Sequence, residues 1–148
     1  MTEPSRPRVT TDVQVMFFDT DCGGVVHNIA YLRFIEIART LLAEELGLKL
    51  ADMTVDQKYP VVVRTEIDYR KPAKLGDRLL IEGRLDRVER VRFWCAFRII
   101  RPQDGAVIAE SRQMLALIQM PDGKLLRLPD HWEKYRGENT DSASTASA

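Results

Sequence analysis

The chain has 148 residues, of which 45% are apolar and 30% are charged, and its 22 basic residues balance its 22 acidic ones. This length accommodates one domain but not two of ordinary size, and the composition is typical of a globular protein with its own core. A net charge of zero argues against general nucleic-acid binding, and no apolar run approaches the ~20 residues needed for membrane insertion.

The cysteine and histidine content restricts the metal and redox chemistry of the chain. Two cysteines, Cys22 and Cys95, do not make a disulfide framework, and His27 and His131 are too far apart to complete a zinc site. The first residues show no hydrophobic signal core. The sequence therefore predicts a cytoplasmic protein without a metal.

Composition divides the chain into three parts. Residues 1–8 contain two prolines and two arginines, which predicts a flexible N-terminal arm. Residues 9–136 carry the regular patterns of a folded domain. Residues 137–148 have no apolar side chain larger than that of alanine, which predicts a disordered tail that contributes nothing to a core.

The first half of the domain predicts a strand over residues 9–18, a glycine-containing turn and a long helix. From residue 28 to residue 46 apolar side chains recur at helical spacing, and Gly47 follows where a helix-terminating glycine belongs. Because the polar stripe of this helix is narrow, we expect the helix to be surrounded by protein. The recurring residues are Tyr31, Ile35, Ala38, Leu42 and Leu46.

The second half of the domain predicts four or five antiparallel strands. Apolar and polar side chains alternate over residues 61–69, 93–99 and 108–118, as in strands with one buried face. Turn residues at 71–77 and 121–123 separate these runs. A strand, a long helix and then a run of antiparallel strands indicate an α+β fold, with one helix packed against an antiparallel sheet.

Residues 17–28, which lead into the helix and which we call the entrance segment, concentrate the reactive side chains of the chain. They include Asp19, Asp21, Cys22 and His27. A helix N-terminus offers free N–H groups and a partial positive charge, which can polarise a carbonyl or stabilise an oxyanion. A carboxylate beside it can act as a nucleophile or as a general base.

The same residues have simpler interpretations. Two aspartates before a helix are also typical of turns and caps, and Asn28 is a candidate N-cap. Cys22 and His27 could form a nucleophilic thiolate pair, although cysteine is often a small buried residue. Spacing alone leaves these alternatives open.

Two sequence blocks resemble a known family. They are Asp19-Thr20-Asp21 with Gly23, Gly24, Tyr31, Arg33 and Glu36, and Glu66-Ile67-Asp68-Tyr69 with Pro72, Gly76 and Asp77. In order and spacing they are similar to the hotdog-fold acyl-CoA thioesterases, in the branch of the 4-hydroxybenzoyl-CoA thioesterases and the Tol-Pal-associated thioesterases. The resemblance covers residues 13–127, nearly the whole predicted domain.

The resemblance implies a central helix wrapped by a curved antiparallel sheet, with subunits joined edge to edge as a homodimer or homotetramer. It implies that Asp21 is the catalytic carboxylate and that the backbone N–H of Asn28 polarises the thioester carbonyl, with Gly24 permitting close approach. Asp21 would either attack the thioester to form a mixed anhydride or activate water. The expected reaction is hydrolysis of an acyl-CoA to the free acid and CoA, without a cofactor.

Two positions depart from the family pattern. In the Tol-Pal-associated branch a tyrosine and a histidine assist the carboxylate, and this chain has Phe17 and Asn28 there. His27, one residue before the expected histidine, is a candidate for the assisting role, and Phe17 and Tyr31 are candidates for substrate binding. The resemblance therefore predicts a thioesterase without predicting a short acyl group.

A local basic excess offers contacts for the phosphates of CoA. Between residues 64 and 101, eleven basic residues stand against six acidic ones. In the enzymes that the chain resembles, basic residues at the start of the strand after a hairpin contact the nucleotide, and the matching residues are Arg90 and Arg92. The alternatives are Arg70, Lys71 and Lys74.

Two other functions are compatible with a hotdog domain. A dehydratase acting on hydroxyacyl thioesters would need His27 as its catalytic histidine. A non-catalytic acyl-CoA-binding module would not need Asp21, and typically carries a DNA-binding segment, which we do not find in these residues. The sequence leaves the acyl group and the choice between dimer and tetramer open.

Overall fold

The computed structural model describes residues 5–137, which contain six strands, two α-helices and two short 3₁₀ helices. One strand precedes the helices and five follow them, as predicted. The strands are β1 Arg8–Gln14, β2 Lys58–Tyr69, β3 Arg78–Val88, β4 Arg92–Arg101, β5 Ala106–Gln119 and β6 Lys124–Leu126. The helices are α1 Asn28–Glu45 and α2 Leu50–Asp56, and the 3₁₀ helices are Phe17–Asp19 and Asp130–Tyr135.

The first five strands form one antiparallel sheet in the order β1-β3-β4-β5-β2, and β6 pairs with the end of β5. β1 and β2 are therefore the two long edges of the sheet. α1 packs mainly against β1 and β3, on one face of the sheet. The predicted α+β fold, with one long helix against a curved antiparallel sheet, is confirmed.

The core lies between α1 and the sheet. Alternation along β3 and β4 directs Ile81 and Phe97 toward the helix, where both are at most 2% exposed. On α1, Phe34, Ile35 and Leu42 are fully buried, and each such side chain contributes ~1.5–3 kcal/mol to folding.

Only one side of α1 is covered by the sheet, so the prediction that protein surrounds the helix is met on that side alone. Ile29 is 68% exposed and Leu32 is 39% exposed within the part of the chain that the structure describes. The reason is that α1 lies over β1 and β3 and makes little contact with β2. Part of the surface of α1, with the apolar side chains of Ile29 and Leu32, is therefore left uncovered within the described residues.

Two elements differ from the sequence predictions. β1 ends at Gln14 rather than at residue 18, because the Asp19 carboxylate accepts the Met16 N–H at 2.9 Å and folds the intervening residues into a 3₁₀ turn. α2 was not predicted, since none of its residues is buried and it therefore shows no helical apolar pattern. Gly47, with a φ of 88°, follows the end of α1 as predicted.

The start of the described chain is tied to the domain. The Arg6 guanidinium donates to the carbonyl oxygens of Asp86 and Tyr135, and the Pro7 carbonyl accepts the Leu85 N–H at 3.0 Å. The predicted flexible arm therefore includes residues that pair with the domain, and its first four residues lie outside the described residues. Residues 138–148 of the predicted disordered tail lie outside them as well. Between residues 5 and 137, no helix has both the length and the apolar character needed to cross a bilayer.

Candidate active site

The entrance segment is held in place by a short stretch of chain at residues 73–75. The Val26 N–H donates to the Ala73 carbonyl at 2.8 Å, and the Leu75 N–H donates to the Gly24 carbonyl at 3.1 Å. Val25 and Lys74 form an isolated β-bridge between these contacts. Backbone pairing with the β2–β3 connection therefore fixes the turn that carries Asp21.

Asp19 is the structural carboxylate of the entrance segment. Its side chain is buried, pairs with the Arg33 guanidinium and accepts the Met16 N–H at 2.9 Å. Its backbone carbonyl accepts the His27 N–H at 3.0 Å. Both carboxylate oxygens are engaged, so Asp19 holds the 3₁₀ turn against α1 and is not available to a substrate.

Asp21 is the accessible carboxylate of the entrance segment. It is exposed, its Oδ1 accepts the Gly23 N–H at 2.8 Å, and its backbone carbonyl accepts the Gly24 N–H at 3.0 Å. Gly24 closes this turn with a φ of 78°, a conformation that L-residues with a side chain rarely adopt. Within residues 5–137, Oδ2 of Asp21 has no hydrogen-bond partner, so it is free to meet a substrate or a water molecule.

His27, and not Asn28, is the N-cap of α1. Its Nδ1 accepts the Ala30 N–H at 3.1 Å, and its Nε2 lies 3.3 Å from the Phe18 carbonyl oxygen. A ring that accepts at Nδ1 carries its hydrogen on Nε2, which therefore donates to Phe18. Both nitrogens are occupied, so the ring forms no thiolate pair with the exposed Cys22 and is poorly suited to dehydratase chemistry.

The first turn of α1, directly after the entrance segment that carries Asp21, provides free hydrogen-bond donors. The N–H groups of Asn28 and Ile29 cannot be paired inside a helix that begins at residue 28, and no acceptor lies at either within residues 5–137. The partial positive charge of the helix N-terminus is concentrated there. An exposed carboxylate and unpaired donors at a helix N-terminus together suit attack on a polarised carbonyl.

Tyr31 and Phe17 occupy very different environments. The Tyr31 hydroxyl accepts the Ala73 N–H at 3.2 Å and is buried, and burial raises its pKa. Its ring lies 5.5 Å from the ring of Tyr69 between centroids. Tyr31 therefore connects α1 to the stretch that supports the entrance segment, whereas Phe17 is 81% exposed in the 3₁₀ turn that precedes Asp21.

Arg90 and Arg92 lie far from Asp21 within one chain. The end of β1 and the start of β3 lie next to the entrance segment. Both arginines lie at the opposite end of β3, in the hairpin between β3 and β4. β3 has 11 residues, so its two ends are roughly 35 Å apart. The structure thus brings Phe17, Asp21, Gly24, His27, Asn28 and Tyr31 together and leaves the two arginines apart.

Sequence reasoning did not predict the Asp19–Arg33 pair or the backbone pairing of residues 73–75 with the entrance segment. Arg33 belongs to a block that carries the family resemblance, and that was its only signal. Its pairing across 14 positions follows from the packing of the 3₁₀ turn on α1, which local patterns do not encode. No group of three or more His, Cys, Asp or Glu side chains within residues 5–137 could hold a metal ion.

Among the open cavities of the described part of the chain, two are lined by several charged side chains. One, of about 510 Å³, adjoins the entrance segment at Lys71, Lys74 and Arg101. The other, of about 540 Å³, lies on the sheet face opposite α1 among paired charges such as Arg112 and Glu66, and includes no residue of the entrance segment. Neither cavity is lined by a residue of the entrance segment, but the first includes Lys74, which is bridged to Val25, and is therefore the more relevant of the two.

Comparisons with known proteins identify the family of the chain. The model of the Thioesterase-like superfamily matches residues 15–134. The chain is 30% identical over 126 residues to a 1,4-dihydroxy-2-naphthoyl-CoA hydrolase of Synechocystis, covering 84% of this chain and 91% of that protein. It is 37% identical over 90 residues to the acyl-CoA thioesterase YbgC of Haemophilus influenzae, covering 60% of this chain and 66% of that protein.

Solved structures agree with the sequence comparisons. The crystal structure of a Synechocystis 1,4-dihydroxy-2-naphthoyl-CoA thioesterase superposes with a TM-score of 0.76 and 26% identity, covering 90% of this chain and 98% of that one. The predicted hotdog thioesterase fold is thereby confirmed. The family match spans the entrance segment, α1 and the whole sheet from β2 to β6. The chain belongs to the Thioesterase-like superfamily.

Proposed function

We infer that this chain hydrolyses acyl-CoA thioesters to the free acid and CoA. The observation that carries the proposal is the exposed Asp21 carboxylate in the turn that leads into α1, whose first N–H groups, those of Asn28 and Ile29, are unpaired within residues 5–137. The names of the relatives, a CoA thioester hydrolase and an acyl-CoA thioesterase, support the same chemistry. A module that only binds acyl-CoA would not need a carboxylate at this place.

The proposed mechanism uses the N-terminus of α1 as the electrophilic element. The thioester oxygen accepts the Asn28 N–H, which stabilises the negative charge that develops there during attack. In one route an Asp21 oxygen attacks the carbonyl carbon, CoA leaves as the thiolate, and water hydrolyses the mixed anhydride. In the other, Asp21 takes a proton from water while the hydroxide attacks, and CoA again leaves. Neither route requires a metal or a redox cofactor.

In this proposal His27 is a positioning residue. Its ring spans from the Ala30 N–H to the Phe18 carbonyl, so it connects the first turn of α1 to the 3₁₀ turn that precedes Asp21. It thereby orients the donors at the helix start without touching the thioester. Gly24 permits the tight turn, and the exposed Phe17 ring forms part of the acyl site.

The acyl group is proposed to be aromatic or of medium length. Phe17, in the 3₁₀ turn before Asp21, and Ile29, in the first turn of α1, expose apolar side chains, at 81% and 68%. Tyr69, whose ring contacts that of Tyr31, is half exposed. An acetyl group would leave most of this surface in water, whereas a ring or a longer chain would cover it. Each additional methylene in an apolar pocket is worth ~1–3 kcal/mol.

We therefore expect kcat/KM for benzoyl-CoA or octanoyl-CoA to exceed that for acetyl-CoA by ~10-fold or more. The measurement is free-thiol release from acetyl-, butyryl-, octanoyl-, palmitoyl- and benzoyl-CoA under identical conditions. A maximum at acetyl-CoA would contradict the proposed acyl site. No release from any of the five would leave a binding module as the better description.

The substrate site is proposed to lie between two copies of the chain. β2 is an edge strand of 12 residues with exposed Val62 and Val63, and its outer side pairs with no strand within residues 5–137. Such an edge is a strong template for pairing with another strand. Antiparallel pairing of two β2 edges would bring Arg90 and Arg92 of the partner subunit to the Asp21 end of this sheet, as nucleotide contacts.

Light scattering on the purified chain should accordingly give the mass of a dimer or tetramer. A charged residue in the middle of β2, as in Val62→Lys, should shift the mass toward that of one chain and lower the activity. The matched control is Thr10→Lys on the opposite edge strand β1, which should retain the assembly. A wild-type protein with the mass of one chain and full activity would contradict this arrangement.

A further inference from the structure

We propose that Arg39 binds a carboxylate at the far end of the acyl group, so that the enzyme prefers acyl thioesters with a terminal carboxylate to plain acyl thioesters of the same length. This inference rests on the proposed thioesterase function and names a substrate class and the residue that selects it. It concerns the acyl end of the substrate, and Arg39 lies outside the entrance segment and the basic residues considered for the nucleotide.

The first support is the position of Arg39 on α1. Its Nη1 donates to Gln113 Oε1 on β5 at 2.7 Å, and Gln113 Nε2 donates to Thr65 Oγ1 on β2 at 3.2 Å. This side of α1 therefore faces β5 and β2. Leu32 lies two turns before Arg39 on the same face of the helix and is 39% exposed. An acyl group bound at the start of α1 can extend past Leu32 toward Arg39.

The second support is the distance along the helix. At ~1.5 Å per residue, the Cα atoms of Asn28 and Arg39 are ~16 Å apart along the axis of α1. Helical side chains tilt toward the N-terminus, so the guanidinium lies nearer to the thioester than its Cα does. An octanedioyl group with its carbonyl at the Asn28 N–H has the length to bring its second carboxylate to Arg39, whereas an acetyl group does not.

The third support is the poor neutralisation of this cation. The Arg39 side chain is only 22% exposed, and burial lowers its pKa, although an arginine remains charged at neutral pH. The carboxylate paired with it within residues 5–137 is that of the exposed Glu36, 3.9 Å from Nη2 and too far for a hydrogen bond. Cys95 does not balance the charge, because burial raises its pKa to about 12 and keeps the thiol neutral.

The free donors of Arg39 suit a carboxylate. A guanidinium has five N–H donors in a planar fork, which matches the two oxygens of a carboxylate. Within residues 5–137 its one hydrogen bond is to the buried Gln113, which holds the group in place and leaves the other donors unused. A terminal methyl group would displace water from this charge without replacing the lost hydrogen bonds. The same guanidinium therefore favours a carboxylate over a methyl group at the end of the acyl chain.

The test compares octanedioyl-CoA with octanoyl-CoA, which has a methyl group where the former has its second carboxylate. For the wild type we expect kcat/KM for octanedioyl-CoA to be ~10-fold or more above that for octanoyl-CoA. In Arg39→Met this preference should fall to about two-fold or less, with kcat/KM for octanoyl-CoA retained. Free-thiol release from each substrate is the measurement.

Three further variants make the test specific. Arg39→Lys keeps the charge without the planar fork and should show an intermediate preference, which also decides the question if Arg39→Met does not fold. Glu36→Gln removes the competing carboxylate and should raise kcat/KM for octanedioyl-CoA. Arg98→Met, on the sheet face opposite α1, should leave the preference unchanged. Equal losses on both substrates in the Arg39 variants would reduce Arg39 to a structural link with Gln113 and overturn the inference, as would a wild type without the preference.

Calorimetric titration with non-hydrolysable thioether analogues of the two substrates separates this inference from the proposed function. The wild type should bind the analogue with the terminal carboxylate ~10-fold or more tightly than the one with the methyl group, and Arg39→Met should bind both alike. A wild type that hydrolyses no thioester but shows this difference in affinity would refute the catalytic proposal only. A wild type that hydrolyses octanoyl-CoA but binds the two analogues equally would refute the carboxylate site only.

Discussion

Replacing Asp21 with Asn should lower kcat for the best acyl-CoA substrate by at least ~10²–10⁴-fold, the contribution of a positioned acid, base or nucleophile. The amide is nearly isosteric and its oxygen can still accept the Gly23 N–H, so the turn and the fold should be preserved. What is lost is the negative charge of the one accessible carboxylate in the entrance segment. Single-turnover thiol release, with circular dichroism to verify folding, is the measurement.

Three control variants separate this effect from general disturbance of the loop. Asp122→Asn, in a remote exposed turn, should be neutral, and Cys22→Ala should retain activity within a few-fold because no imidazole activates that thiol. Asp19→Asn should lower turnover far less than Asp21→Asn, since Asp19 acts through Arg33 and the 3₁₀ turn. If the Asp21 variant retained most of its activity, or if Cys22→Ala lost as much, the catalytic assignment would be wrong.

Replacing Trp132 with Ala should lower the free energy of unfolding by ~3–5 kcal/mol, the usual cost of removing a large buried aromatic side chain. Trp132 is 1% exposed, its ring lies 5.0 Å from that of Phe93 between centroids, and its Nε1 donates to the Leu46 carbonyl at 3.0 Å. That hydrogen bond satisfies a carbonyl at the end of α1, which has no partner within the helix. Urea denaturation followed by circular dichroism measures the loss.

Trp132→Phe divides this effect into its two parts. The ring contact with Phe93 is largely kept while the hydrogen bond to Leu46 is lost, so we expect a cost of ~1–3 kcal/mol. Trp94→Ala is the matched control, because Trp94 is only partly buried on the other face of the sheet, under the Arg112 guanidinium at 4.2 Å. Equal losses for Trp94→Ala and Trp132→Ala would contradict the role given to the C-terminal 3₁₀ helix.

The elements that local periodicity encodes could be predicted from the sequence. The helical spacing from Tyr31 to Leu42 placed α1 nearly at its observed bounds, and Gly47 marked its end. Alternation placed the central strands, because a strand with one buried face must alternate. α2 was not predicted, because no residue in it is buried and it therefore has no apolar periodicity. β1 was predicted too long, because the Asp19 carboxylate folds residues 16–19 into a turn that apolar patterning does not reveal.

The sequence by itself determined the fold class, the family resemblance and the clustering of reactive side chains at the start of α1, because these depend on residues close together in the chain. Only the tertiary structure decided what each side chain does. Asp19 pairs with Arg33, and His27 caps α1. Lys74 is bridged to the turn that carries Asp21, whereas Arg90 lies at the far end of the sheet. Such contacts join residues up to tens of positions apart, and they follow from how the strands pair and how the helix lies on them. Local patterns specify which face of an element is buried but not which distant residue it will meet.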